Sequence, residues 1–343
     1  MKTTISDIAK KAGVSKATVS RVINNKPEGV GPKTRSRIQK IILETGFQPS
    51  GVARGLATGK SRTIGLIIPD ITNPFYAQLV KGVEDIVNQY GYGLFLCNSD
   101  RKIEKEKDFI NLLIEKEVDG LILNSAESEC ACQLELLKKN KIPFVLTDRI
   151  IESSSKSNGV YVDNLHGAKL AAEFLYAKSG CKLLFINGPM DLSQSKLRQA
   201  GVEEVFRKKG LDAEKLQIIY GDFTQESGYE LTRNVLSEYD FDRKHNKIPF
   251  NAVFTANDIM AIGAIRALRQ TGILIPEEVE VIGFDDIELA RLLDPPLSTV
   301  FQPSSEMGAR SAEMLLKILN RTNPRPKIIT LMPELVLRGT TRV

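Results

Sequence analysis

"TISDIAKKAGVSKATVSRVINN", residues 4–25, spells two short helices joined by a tight turn. Thr4 followed by Asp7 is a capping-box-like start, and Asp7 also suits the positive end of a helix dipole. Ile5, Ile8, Ala9 and Ala12 then recur at helical spacing, which gives the first helix one apolar face. Gly13 supplies a turn in which a positive φ meets no Cβ clash, and Ser15 is placed to cap a second helix from about Lys16 to Asn24. With Val19, Val22 and Ile23 turned inward, the spacing is that of a helix-turn-helix. A third helix, from about Thr34 to Thr45, offers Ile38, Ile41 and Ile42 to the same small core and stops at Gly46.

The outward side chains of the second helix are Lys16, Ala17, Thr18, Ser20, Arg21 and Asn24. A recognition helix in the major groove uses such positions for bases and phosphates. Arg21 can bond both O6 and N7 of guanine, Ala17 can touch a thymine methyl, and Thr18, Ser20 and Asn24 suit phosphates. Charge segregation points the same way. Residues 1–62 hold 13 Lys and Arg against three acids, whereas the other 281 residues hold 34 basic and 39 acidic side chains. A basic head on a mildly acidic body is what a duplex-binding module needs, because phosphate contacts supply most of its affinity.

A chain of 343 residues exceeds one typical core, so two or three domains are expected. No apolar run is long enough to span a bilayer and the N-terminus is polar, so the expected location is the cytoplasm. Cys97, Cys130, Cys132 and Cys181 are few and scattered, in keeping with a reducing compartment. With His166 and His245 as the only histidines, no metal site, cofactor or Cys/His nucleophile is expected.

From Thr63 onward, short apolar runs alternate with amphipathic helical stretches, beginning "TIGLIIPD", "YAQLVKGVEDIVNQYG", "YGLFLCNSD". Such runs are parallel strands buried on both faces. The pattern restarts at "GAKLAAEFLYAKSG", which gives two similar halves, each a doubly wound parallel sheet. Ligands in such sheets lie beyond the carboxyl ends of the strands. Asp70, Asp148, Asn257 with Asp258, and Asp285 with Asp286 all stand at strand ends, an arrangement suited to a cleft lined with hydroxyl-binding groups. Catalytic patterns are missing: no Ser or Cys motif has a His near it, and no GxGxxG follows a strand. An enzyme, a sugar-binding protein without a DNA head, and an architectural DNA protein without a ligand core each account for less of the chain.

"GVARGLATGKS", residues 51–61, mimics a phosphate loop, but only three residues separate Gly55 from Gly59 where four are required, and no strand feeds it. Within this linker Val52 to Thr58 can form about two helical turns, too few to be stable alone.

Residues 4–25, then "KTRSRIQKIILETGFQPSGVARGLATGKSRTIGLIIPDITNPFY" and the C-terminal "PELVLRGTT", resemble the LacI/GalR family of bacterial transcription regulators over the whole chain. The resemblance implies a three-helix head at 1–50, a hinge helix at 51–61, and a two-lobed core of the periplasmic-binding-protein type. It places 62–162 with about 292–322 in one lobe, and 163–291 with about 323–343 in the other. Thr34, Ala53 and Leu56 join the implied DNA contacts, with Leu56 as a minor-groove wedge that kinks the duplex. Gly55 stands where the family more often has serine or glutamine, which makes the hinge harder to order.

Carried over by motif, Asp70, Asn73 and Phe75 face the ligand after the first core strand, and Asp148 and Tyr161 fall at inner positions of the same half. In the second half, Arg198 matches the effector-binding arginine, Phe223 the stacking aromatic, and Asn257 and Asp285 complete the ring. The implied protein is a homodimeric repressor of carbohydrate or sugar-acid catabolism that binds a pseudo-palindromic double-stranded operator and a small effector. A nucleobase or a phosphorylated carrier protein is the alternative effector.

Overall fold

A computed structural model describes residues 3–23, 28–47, 60–125, 131–149, 157–178, 180–208, 210, 215–238, 248–322 and 327–342. The chain forms two compact units, Met1–Arg62 and Thr63–Val343. The hinge positions Ala53, Gly55 and Leu56, and the recognition position Asn24, lie outside the described residues.

In the first unit, α1 (Ile5–Ala12), α2 (Lys16–Ile23) and α3 (Pro32–Thr45) close around Ile8, Ala9, Ala12, Val19, Val22 and Ile38. The capping box at α1 is complete. The Asp7 N–H donates to Thr4 Oγ1 at 3.3 Å, and the Thr4 N–H donates to Asp7 Oδ2 at 2.9 Å. The Thr4 hydroxyl, donating to Asp7 Oδ2 at 2.7 Å, and the Thr4 N–H hold the Asp7 carboxyl below its usual value. Gly13 then ends α1 with φ of 61°, and the Thr18 N–H donates to Ser15 Oγ at 3.1 Å to start α2. The third helix begins two residues before the expected Thr34, because Pro32 at its first turn needs no N–H partner.

The second unit contains two six-stranded sheets. The first lobe is built on β1 (Thr63–Ile68), β2 (Gly93–Asn98), β3 (Gly120–Leu123), β4 (Phe144–Thr147) and β5 (Gly159–Val162). Around these strands pack α4 (Pro74–Gln89), α5 (Ile103–Glu115) and α6 (Ala131–Lys139). The second lobe repeats the plan with β6 (Leu183–Asn187), β7 (Leu216–Tyr220), β8 (Ala252–Thr255) and β9 (Glu280–Asp285). Its helices are α7 (Asn164–Tyr176), α8 (Ser193–Lys208), α9 (Gln225–Glu238), α10 (Asp258–Gln270) and the short α11 (Glu288–Leu292). The tail adds β10 (Ser298–Phe301), α12 (Ser304–Leu319), β11 (Ile328–Leu331) and β12 (Glu334–Val336).

Strand order is β11-β5-β4-β3-β1-β2 in one sheet and β12-β10-β9-β8-β6-β7 in the other. Every pairing is parallel except β10 with β12. Both sheets therefore reverse their winding beside their first strand, β1 or β6, which opens a crevice at the carboxyl ends. The tail corrects the expected lobe boundaries. β10 lies in the second sheet and β11 in the first, so residues 292–301 stay with the second lobe and 328–331 join the first. Hydrophobic periodicity identifies a strand but not which of two equivalent sheet edges it pairs with.

Each lobe contains a helix pair in very close contact. A Cβ on Gly82 of α4 would strike the Ser305 carbonyl of α12, and one on Gly308 of α12 would strike the Leu79 carbonyl of α4. Gly228 of α9 and Gly263 of α10 stand in the same reciprocal relation to Met260 and Gln225. Neither backbone can yield without moving a helix. Gly308→Ala is accordingly expected to cost about 1–3 kcal/mol in urea unfolding, and an unchanged midpoint would contradict this packing.

Candidate functional site

The carboxyl ends of the two sheets enclose a cavity of about 30 Å³, room for roughly two waters. From the first lobe it is lined by Asn73, Phe75, Tyr76, Arg101, Asp148 and Arg149. The second lobe contributes Gln194, Arg198, Phe223, Asn257, Asp285 and Gln302.

Each group is held by the strand end or helix start that carries it. Asn73 caps α4, its Oδ1 accepting from the Phe75 N–H at 3.0 Å, and Asn257 caps α10 by accepting from Met260 N–H at 2.9 Å. Asn257 Nδ2 also donates to the Phe223 carbonyl at 3.0 Å, which ties the end of β8 to that of β7. Asp148 accepts from Asn124 Nδ2 at 3.0 Å, and Arg149 donates to the Ser125 carbonyl at 3.0 Å. Arg198 Nε donates to Asn164 Oδ1 at 2.8 Å and Nη1 to the Ala256 carbonyl, while its guanidinium lies 3.8 Å over the Phe284 ring. Gln302 Nε2 donates to Asp285 Oδ1 at 2.6 Å.

Three of the lining residues sit in backbone conformations that side chains resist: Asp148 at φ 63°, Phe223 at φ 68° and Asp285 at φ 126°. Such strain of about 1–3 kcal/mol per residue persists only where the surroundings impose it, and it clusters at binding sites. Gly188 shows the tightness of the fit, because any Cβ there would overlap the Phe223 ring.

Electrostatically the cavity is a buried mixture of both signs. Burial pushes the Asp285 carboxyl well above the usual carboxylate range, with Arg198 opposing, and pushes Asp148 up, with Arg149 opposing. Burial likewise drives the Tyr76 hydroxyl up to about 12 and lowers Arg198, which Asp285 and Asp148 counter. Behind the lining, Asp258 accepts from Thr299 Oγ1 at 2.5 Å and Ile287 N–H at 2.9 Å, bracing the turn after β9, and burial raises it to about 7. Two buried amide oxygens that belong to the lining, Gln194 Oε1 and Gln302 Oε1, have no hydrogen-bond partner. Each requires a donor from whatever fills the space.

Of the residues expected at the ligand, Asn73, Phe75, Asp148, Arg198, Phe223, Asn257 and Asp285 come together here. Asp70 does not reach the cavity. Its Oδ1 accepts from the Thr72 N–H and hydroxyl, and its Oδ2 holds Arg101 at 2.8 Å. Tyr161 also stands apart, packed with Leu121, Leu123 and Leu146 on the face of the first sheet opposite Val160 and Val162. Strand alternation is the reason: one residue's shift along β5 changes the face.

Tyr76, Arg101, Gln194 and Gln302 were missed, although signals existed. Gln194 lies one helical turn before Arg198, and Gln302 follows a strand end as Asp285 does. In the head, Lys16, Ala17 and Arg21 are exposed on α2, whereas Thr18, Ser20 and Thr34 are half-buried. Among the described residues no group of three or more His, Cys, Asp or Glu side chains is arranged to hold a metal ion, and no helix is long and apolar enough to cross a membrane.

Comparison with known proteins gives this geometry a context. Residues 4–50 match the family described as bacterial regulatory proteins, lacI family, and residues 174–341 match the periplasmic binding protein-like domain. The chain is 35% identical to the catabolite control protein A of Priestia megaterium, with 100% of both chains covered. It is 34% identical to the ribose operon repressor of Escherichia coli K12, over 98% of this chain and 99% of that one. Among solved structures it resembles the lac repressor dimer bound to operator and the anti-inducer ONPF, with a TM-score of 0.87, 26% identity and full coverage of both chains. A LacI family regulator from Enterococcus faecium with bound ribose gives a TM-score of 0.73 at 28% identity, over 81% of this chain and 98% of that one.

The raised carboxyls imply opposite pH trends for stability and for binding. A carboxyl raised by folding stabilises the native state fully at acid pH, and that contribution is lost as pH rises through the folded value. A ligand hydroxyl that donates to the same group requires it ionised, so affinity falls on acidification. Titrations between pH 8 and pH 5 should show ligand binding weaken while unliganded thermal stability gains from these groups, with both trends flatter in Asp285→Asn. Parallel trends in the variant and the parent would contradict the assignment.

Proposed function

Because this chain belongs to the LacI family of DNA-binding transcriptional repressors, we propose that it controls its operator in response to a small neutral monosaccharide, such as a pentose, held between core lobes that part to enlarge a cavity now sized for about two waters. The observation that carries this reading is the mixture of hydrogen-bond donors and unpartnered acceptors that lines the cavity. Gln194 Oε1 and Gln302 Oε1 ask for donors, Asp148 and Asp285 can accept, and Arg101, Arg149 and Arg198 donate. A hydroxyl group donates and accepts at once, whereas a carboxylate only accepts. The rings of Phe75, Tyr76 and Phe223 offer apolar surface for the C–H faces of a sugar. The E. faecium structure with bound ribose, on the same fold, supports the same class.

In this reading residues 1–50 form the DNA-binding head, 51–61 the hinge, and the two lobes the sensor. Arg21, Ala17 and Lys16 read base edges from the exposed side of α2. The functional unit is a homodimer, supported by an apolar depression of Ile259, Ile262, Leu289, Leu292 and Leu293 in which Leu292 is 73% exposed. Two-fold symmetry then matches a pseudo-palindromic operator. Sugar binding changes DNA affinity only so far as it prefers one arrangement of the lobes over another.

Isothermal titration of the full chain with D-ribose, D-xylose, D-ribonate and hypoxanthine tests the effector class. A neutral pentose should bind at least about tenfold more tightly than ribonate, a difference of about 1.4 kcal/mol. Binding of ribonate or hypoxanthine in preference to both pentoses would overturn the reading.

A further inference from the structure

Two loops at the mouth of the cavity are built alike. After β1, Asp70 Oδ1 accepts from the Thr72 N–H at 2.9 Å and its hydroxyl at 2.6 Å. After β7, Asp222 Oδ1 accepts from the Thr224 N–H and hydroxyl at the same two distances. Arg101 joins them. Its Nη2 donates to Asp70 Oδ2 at 2.8 Å within the first lobe, and its Nη1 donates to the Asp222 backbone carbonyl in the second. The guanidinium carbon stands 5.9 Å from the centre of the Phe223 ring, within cation–π range. Charge adds to the contact: partial burial pushes the Asp222 carboxyl up, but the Thr224 and Ser227 hydroxyls and Arg101 bring it below the usual range.

The loop bearing Arg101 is shaped for this reach. Asp100 and Arg101 both have positive φ, 51° and 59°, a costly succession for residues with side chains. It is held by the Arg101 N–H to the Pro69 carbonyl at 3.0 Å, Asn98 Nδ2 to Asp100 Oδ1 at 2.6 Å, and Lys105 to Asp100 Oδ2 at 2.6 Å. Asp70 is thereby consumed in placing Arg101 rather than in meeting a ligand. The Arg101 side chain is 26% exposed, one side to solvent and the other lining the cavity.

We propose that Arg101 is the gating residue of this cavity: anchored on Asp70 in one lobe, it closes the mouth by docking on the Asp222 carbonyl and the Phe223 ring of the other. Ligand enters and leaves when this contact breaks. The gate takes from the functional reading only that the cavity is the effector site, not which effector fills it. A planar fork that serves two acceptors at once explains arginine here, since a lysine can hold Asp70 but not span to Asp222.

Hydrogen–deuterium exchange on the full-length chain, without ligand, tests the gate. Arg101→Met keeps the apolar stem and removes both donors, and Asp70→Asn removes the anchor alone. Both should speed amide exchange of residues 221–224, in the lobe opposite the substitution, by about tenfold, as expected for loss of a charge-assisted hydrogen bond. Arg101→Lys, which keeps the charge, should fall between. Acceleration confined to residues 98–102, with 221–224 unchanged, would overturn the proposal and leave Arg101 a brace of its own loop. A second arm uses D-ribose in surface plasmon resonance. Dissociation from Arg101→Met should be about tenfold faster than from the parent, and an unchanged rate would refute gating of release. If D-ribose fails to bind the parent chain, the sugar reading falls while the exchange result still decides the gate.

Discussion

Arg198 carries a guanidinium charge at 3% exposure, and much of the core is arranged to make that tolerable. A buried cation is costly unless its donors are satisfied and opposite charge stands near. Asn164 and the Ala256 carbonyl take its hydrogen bonds, the Phe284 ring lies against its face, and Asp285 and Asp148 supply the opposing charge from the two lobes. These requirements bring together the start of α7 and the ends of β8, β9 and β4. They also explain why those ends are strained: Asp148 and Asp285 must turn inward to face a cation that has nowhere else to find its counter-charge. The cavity is what remains between these groups, so its chemistry is a consequence of how the charge is buried.

The architecture was legible where local rules suffice. The Thr4–Asp7 cap, Gly13 and Ser15 define the head because each acts within a few residues of itself. Alternating apolar runs and amphipathic helices reveal two wound sheets for the same reason. Pairing between distant segments, as of Ile328 in β11 with Gly159 in β5, is another matter. β10 and β11 are both short apolar strands near the end of the chain, yet they join opposite sheets, and only the register with β9 and β5 distinguishes them. The glycines that allow α4 to meet α12 were equally silent, since a glycine in a helix does not state which backbone approaches it.

At the site, strand ends announced themselves through Asp148, Asn257 and Asp285, because a charged or amide residue after an apolar run needs a reason to be there. Resemblance to the LacI/GalR family added Arg198 and Phe223, whose helix and loop carry no such mark. It also put Tyr161 at the ligand, whereas the alternation of β5 sends the ring to the opposite face of the sheet, and it gave a ligand role to Asp70, whose carboxylate holds Arg101. Gln194 and Gln302 escaped because a neutral amide in a polar segment is unremarkable until burial leaves its oxygen without a partner.

The proposed function is a sensor whose buried polar groups select a hydroxyl-rich ligand and whose ligand biases the grip on DNA. The most direct measurement of that coupling is the operator affinity of the full chain, on a duplex selected in vitro, with and without saturating D-ribose, for the parent and for Asp285→Asn. The account predicts a shift in operator Kd of at least about fivefold in the parent, the lower end of typical allosteric coupling, and none in the variant. An equal shift in both proteins would contradict it, as would a parent whose operator affinity responds to D-ribonate and not to D-ribose.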